Sequence, residues 1–115
     1  MARYAHLPIY KTTYQLLLES THVIKRFPRD YKYTLGQKIR EEITEIIVLV
    51  YRANSTKDKK PYVEELLSRL QVVNVLIRLT HDLKIIPVKK YAGLAEKTDS
   101  IGKQASGWLK NVAAG

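Results

Sequence analysis

The chain is 115 residues long, 45% hydrophobic and without cysteine, which suits one domain with one aliphatic core and excludes disulfides, thiolate zinc sites and cysteine nucleophiles. Twenty Lys and Arg against eleven Asp and Glu leave a formal net charge of +9, pointing to polyanionic partners, nucleic acid before a membrane surface. The longest apolar run, Ile46–Tyr51, falls far short of the roughly 20 residues of a spanning helix. No signal-peptide pattern precedes Pro8, so the expectation is a cytoplasmic protein that does not engage a membrane.

A first helix is predicted over residues 8–26. Ile9, Leu16, Leu17, Val23, Ile24 and Phe27 fall at helical spacing, and Pro8 suits a first turn, where its missing N–H is no loss. Pro28 should stop this helix, because the residue before a proline is pushed out of the α region. Thr34 is a candidate cap for a second helix over 34–53, with an apolar face of Leu35, Ile39, Ile43, Ile46, Ile47 and Val50. The polar linker Asn54–Lys60 follows. Pro61 then opens a third helix over 61–84, with Glu64 and Glu65 expected in its first turn and Leu66, Leu67, Leu70, Val73 and Ile77 as its apolar residues. Pro87 leads into a fourth helix over 87–112, in which Val88, Tyr91, Leu94 or Ala95, Thr98, Ile101, Ala105, Trp108 and Val112 recur at steps of three and four. The final VAAG is expected to fray.

Four helices with short connections and no strand pattern specify an all-α, antiparallel up-down-up-down four-helix bundle. The apolar surface exceeds what one such bundle needs. Val48, Leu49, Tyr51, Val72, Val75, Leu76 and Leu79 crowd helices that should keep one face wet, which leads to the expectation of a homo-oligomer. Asn74, among Leu67, Leu70 and Ile77, reads as a buried amide that sets register.

Motifs for chemistry are lacking. His6, His22 and His81 show no metal-binding spacing, and no glycine-rich phosphate loop occurs. Thr80, His81 and Asp82 are consecutive, so on a helix they point about 100° apart and do not assemble a nucleophile triad. Asp30, Glu41, Glu42, Glu45, Asp82 and Asp99 alternate with cations and read as a solvated face. Neither catalysis nor a cofactor is expected.

The positive charge has a more definite place. In an up-down-up-down bundle the first and third connections share an end, which gathers Lys25, Arg26, Arg29 and Lys32 with Lys84, Lys89 and Lys90, near Phe27, Tyr31, Tyr33 and Tyr91. Lys38 and Arg40 continue the set along the second helix. Cations that neutralise phosphates, beside aromatics that stack on unpaired bases, suit RNA or single-stranded DNA. The opposite end holds Arg52, Lys57, Lys59 and Lys60 with Arg3 and Lys11. Charge spread this widely favours backbone contacts over base reading, hence little sequence preference.

The stretch FPRDYKYTLGQKI from Phe27 to Ile39, its spacing to an aliphatic second helix, and IGKQASGWLK from Ile101 to Lys110 resemble the accessory variability determinants of diversity-generating retroelements. These stand within a broader group of four-helix proteins that includes those encoded in ribosomal RNA intervening sequences. The resemblance implies a barrel-like homopentamer with a positive surface, binding nucleic acid and the retroelement's reverse transcriptase. That complex would copy a template RNA into mutagenised cDNA, with this protein as accessory and not polymerase. The broader group implies an alternative, an oligomeric protein scaffold without a direct nucleic-acid role.

Overall fold

The structure is a computed structural model that describes residues 4–114. A 3-10 turn at Tyr4–His6 leads into α1 (Pro8–Ile24), followed by the single-turn α2 (Arg29–Lys32), α3 (Leu35–Asn54), α4 (Lys60–Asp82) and α5 (Val88–Ala114). The four long helices form a square in cross-section, α1 packing on α3, α3 on α4, α4 on α5 and α5 back on α1. Gln104 Nε2 donates to Thr12 Oγ1 at 3.1 Å and Lys97 Nζ pairs with Glu19 at 3.4 Å, so α5 runs antiparallel to α1. The body is a rod of 46 × 20 × 20 Å, all helical among the described residues.

The core lies along the axis. Ile9, Leu16 and Ile24 of α1 meet Ile39, Ile43, Ile46 and Val50 of α3, Val63, Leu66, Leu70, Val73 and Ile77 of α4, and Leu94, Ile101 and Ala105 of α5. These are the three- and four-residue repeats of the sequence, each placing an apolar stripe inward. Buried threonines are satisfied within their own helices, as where Thr13 Oγ1 donates to the Ile9 carbonyl at 2.7 Å. Two expectations about burial change. Leu49 belongs to the core of the single chain, whereas Asn74 is only half-buried, on the α4–α5 groove beside Val75 and Tyr91.

The connections depart most from the sequence reading. Helix α1 ends at Ile24, two residues early, and tightens through Arg26 N to Val23 O and Phe27 N to Ile24 O, both 3.0 Å, which carries the Phe27 ring into the core. Pro28 does more than stop a helix: its carbonyl accepts from Tyr31 N and Lys32 N and so starts α2. Thr34 does not cap α3 with its side chain. Its hydroxyl donates back to the Asp30 carbonyl at 2.8 Å, closing α2 instead. Pro61 sits in the first turn of α4 as expected, but the helix begins at Lys60, so Glu64 and Glu65 fall beyond that turn. Lys59 Nζ turns inward to the carbonyls of Ala53 and Thr56, 2.8 Å each, holding the end of α3 against the linker.

Helix α4 closes with Lys84 in the left-handed region, φ 59°. Ile85 N reaches Thr80 O at 3.1 Å and Lys84 N reaches His81 O at 3.0 Å, a helix stop in which glycine is the usual residue. Of the VAAG tail, the backbone through Ala114 remains helical, while Gly115 lies outside the described residues, as does Arg3.

Gly36 sets the approach of α3 to the end of α1. A Cβ there would stand 2.6 Å from Ile24 Cγ2 and 3.5 Å from the Phe27 ring. Ile24 and Phe27 are both buried and their positions are held from several sides. Gly36→Ala is therefore expected to lower unfolding free energy by about 1–3 kcal/mol through overpacking, measured by urea denaturation; an unchanged midpoint would remove the close approach as a constraint.

Candidate nucleic-acid interface

The topology places the α1–α3 and α4–α5 connections at one end of the rod. A concavity of about 250 Å³ lies between them, with Val23, Ile85, Ile86 and Pro87 as its apolar wall and His22, Arg26 and Lys90 at its rim. A neighbouring groove between α1 and α5 takes Lys89 and Lys90 past Gly93 to Glu19 and His22. Arg26, Lys89 and Lys90 thus converge on one seam as the sequence suggested. Lys25 caps the C-terminus of α1, where the helix dipole favours a cation. Arg29 and Lys32 are carried by α2 at the same end, Arg29 exposed and Lys32 half-buried.

Little opposes this charge. Between Glu19 and Glu41 the only carboxylate is Asp30, and between Asp82 and Glu96 there is none. Among the described residues, Lys25, Arg26, Arg29, Lys32, Lys84, Lys89 and Lys90 form no ion pair. Lys89 and Lys90 also occupy the first turn of α5, which holds no acid. A helix N-terminus is the positive end of its dipole and prefers carboxylates, so these two lysines stand against the local electrostatic rule.

The two candidates on α3 differ from the rest. Lys38 Nζ pairs with Glu42 at 3.1 Å, and Arg69 of α4 reaches the same carboxylate at 3.2 Å. Glu42 is buried and not on a solvated face, contrary to the charge pattern. Its place three residues from Ile39 and four from Ile46 was the available signal. Burial works to raise its pKa, but the hydrogen bonds and charges of Lys38 and Arg69 outweigh that and hold it below the ordinary value of 4.5. Lys38 is thereby engaged in tying α3 towards α4. Arg40 is exposed and unpaired among the described residues, in a shallow groove with Leu17 and Thr21.

The aromatics expected to stack at this end are mostly occupied. Phe27 is 5% exposed, Tyr31 is half-buried against the core, and Tyr91 lies over His81 with ring centres 4.5 Å apart. Tyr33 alone of the four stands open, at 73%. The His81 and Asp82 side chains do meet, Nδ1 to Oδ1 at 3.1 Å, and Arg78 donates to the same oxygen. Those hydrogen bonds hold Asp82 below its ordinary range. Thr80 Oγ1 instead donates to the Ile77 carbonyl at 2.6 Å and does not join the pair. Among the described residues no group of three His, Asp or Glu is placed to hold a metal ion, and no helix is long and apolar enough to cross a membrane.

The family model described as bAvd-like matches residues 7–112, nearly the whole chain. The chain belongs to the bAvd-like family. Avd stands for accessory variability determinant, the group that the Phe27–Ile39 and Ile101–Lys110 segments resemble. Membership fits the broad accessory role of that group in retroelements. No curated protein sequence matches the chain. In this bAvd-like chain the signature segment divides by role: Phe27, Gly36 and Ile39 pack, while Arg29 and Tyr33 remain outside.

The Glu42 pair has a pH consequence. A carboxylate whose folded pKa lies below its unfolded value adds stability that is complete above about pH 4.5 and is lost as pH falls through the folded pKa. Glu42→Gln is expected to destabilise the protein at pH 7 and to flatten the fall in stability below pH 4.5. Denaturant melts at a series of pH values check this, and an unaltered acid limb would refute it.

Proposed function

We propose that the protein is a non-catalytic accessory subunit of a diversity-generating retroelement, cytoplasmic, which holds template RNA or cDNA for the reverse transcriptase. The observation that carries this is the uncompensated positive end, where Arg26, Lys89 and Lys90 share a seam and Lys25, Arg29 and Lys32 flank it. Phosphates would supply the negative charge that the chain itself withholds. With so few open aromatics there, this end would bind through backbone phosphates and with little regard to sequence. Arg40 would extend the track along α3, whereas Lys38 serves it less, being paired with Glu42.

The test sets stability against binding. Arg26→Glu, Arg29→Glu and Lys32→Glu combined, or Lys89→Glu with Lys90→Glu, should weaken RNA and DNA binding and reduce the slope of log K against log salt by about 0.9 for each phosphate no longer neutralised. The Lys89/Lys90 pair should leave the melting temperature unchanged or higher, because carboxylates suit the start of α5. Unchanged affinity in both variants, or wild-type binding indifferent to salt, would reject the reading.

The protein would act as a homo-oligomer, for which the bAvd-like resemblance implies a barrel-like pentamer. Supporting self-association is an exposed apolar stripe along α4 and its C-cap, Val72, Val75, Leu79 and Leu83, with Val75 at 67%. Val75→Glu with Leu79→Glu should yield a species near 13.3 kDa in light scattering while the wild type is a multiple of it; a wild-type monomer would refute the assembly. The same stripe favours a second reading, an oligomeric protein scaffold whose charge serves solubility. That reading predicts protein partners recovered after nuclease treatment and unaffected by the charge reversals.

A further inference from the structure

A separate aromatic surface lies at the other end of the rod, roughly 20 Å along α1 from the positive seam. Tyr4 packs edge-on against Tyr10 of α1 and against Tyr51 of α3, ring centres 5.1 Å apart in both pairs, and Tyr10 lies 6.1 Å from Tyr14. The four rings make one continuous ladder across the α1–α3 edge. Tyr10 anchors it to the core, while Tyr4, Tyr51 and Tyr14 keep 39%, 46% and 50% of their surface open.

The helix stretches that carry the ladder hold charge of one sign. From Leu7 to Leu18 α1 carries no carboxylate, and α3 carries none from Ile46 to Asn54. Lys11 and Arg52, both exposed and without an ion pair among the described residues, follow Tyr10 and Tyr51 in the chain, each turned about 100° around its helix from that ring. Partly exposed rings on helix stretches that also carry free cations match a ligand that is flat, apolar and anionic at regular intervals. An unpaired nucleic-acid strand has that chemistry, a base for each ring and a phosphate for each cation. A duplex has the phosphates but hides its base faces.

We infer that Tyr4, Tyr14 and Tyr51 form a stacking platform for single-stranded RNA or DNA, distinct from the phosphate-binding end. This rests on the reading that the chain binds nucleic acid, and it adds a preference for unpaired strands that the positive end alone would not produce. Stacking is indifferent to base identity and to the 2′-hydroxyl, so oligo(U) and oligo(dT) are held alike.

The experiment uses the full chain with labelled oligo(U), oligo(dT) and duplex RNA of about twelve units, within the usual site sizes. Tyr14→Leu with Tyr51→Leu keeps apolar bulk but removes the rings, and should weaken both single strands about tenfold while leaving duplex affinity and the salt slope unchanged. Tyr14→Phe with Tyr51→Phe keeps the rings and should restore binding. Equal loss on duplex and single strands, loss confined to one strand type, no loss at all, or a change in solution mass without a change in affinity would each overturn the platform. Should the wild type bind and the Leu pair bind equally well, only the platform falls; should the wild type bind nothing, the reading beneath it falls too.

Discussion

The close approach at Gly36 governs much of the molecule. With hydrogen in place of a side chain, α3 comes within van der Waals reach of Ile24 at the end of α1, and Phe27 closes the gap beneath. The single-turn α2 packs on α3 at this end, with none of its residues fully buried. The cations of that connection are displayed at the surface: the apolar and small residues take the inner positions, and Arg26 and Arg29 are exposed. A residue chosen for packing thus decides where charge appears.

Formal charge overstates what the surface offers. Lys59 faces main-chain carbonyls, Lys38 and Arg69 face Glu42, and Lys97 faces Glu19. These cations hold elements together, whereas those of the α1–α3 and α4–α5 connections have no carboxylate to hold. The difference between the two sets is local geometry, and net charge alone does not express it. The aromatics divide similarly, with the end richest in free cations mostly closed to stacking and the opposite end open.

Four helices, their order and most of the core were readable because a 3.6-residue period is a direct image of burial. Ile39, Ile43, Ile46 and Val50 all lie where that period put them. The turns were less legible, since Thr34 has both a backbone amide ahead and a carbonyl behind within reach, and composition does not say which the hydroxyl takes. Glu42 was misjudged for a related reason: its second partner, Arg69, is 27 residues away, so its neighbours in sequence suggested solvent when tertiary structure supplied the bond. The tyrosine ladder joins three separate elements, Tyr4, α1 and α3, and no single period in the sequence spans them. The convergence of Arg26 with Lys90 was legible because it follows from connectivity alone.

Lys84 bears on how such a chain is shaped. A left-handed residue with a side chain is disfavoured by about 1–2 kcal/mol, and glycine would be free of that strain. Glycine would also remove an ammonium from the end of the molecule where charge is already concentrated. Backbone strain and charge are thus tied together at this one position, and relieving the first removes the second.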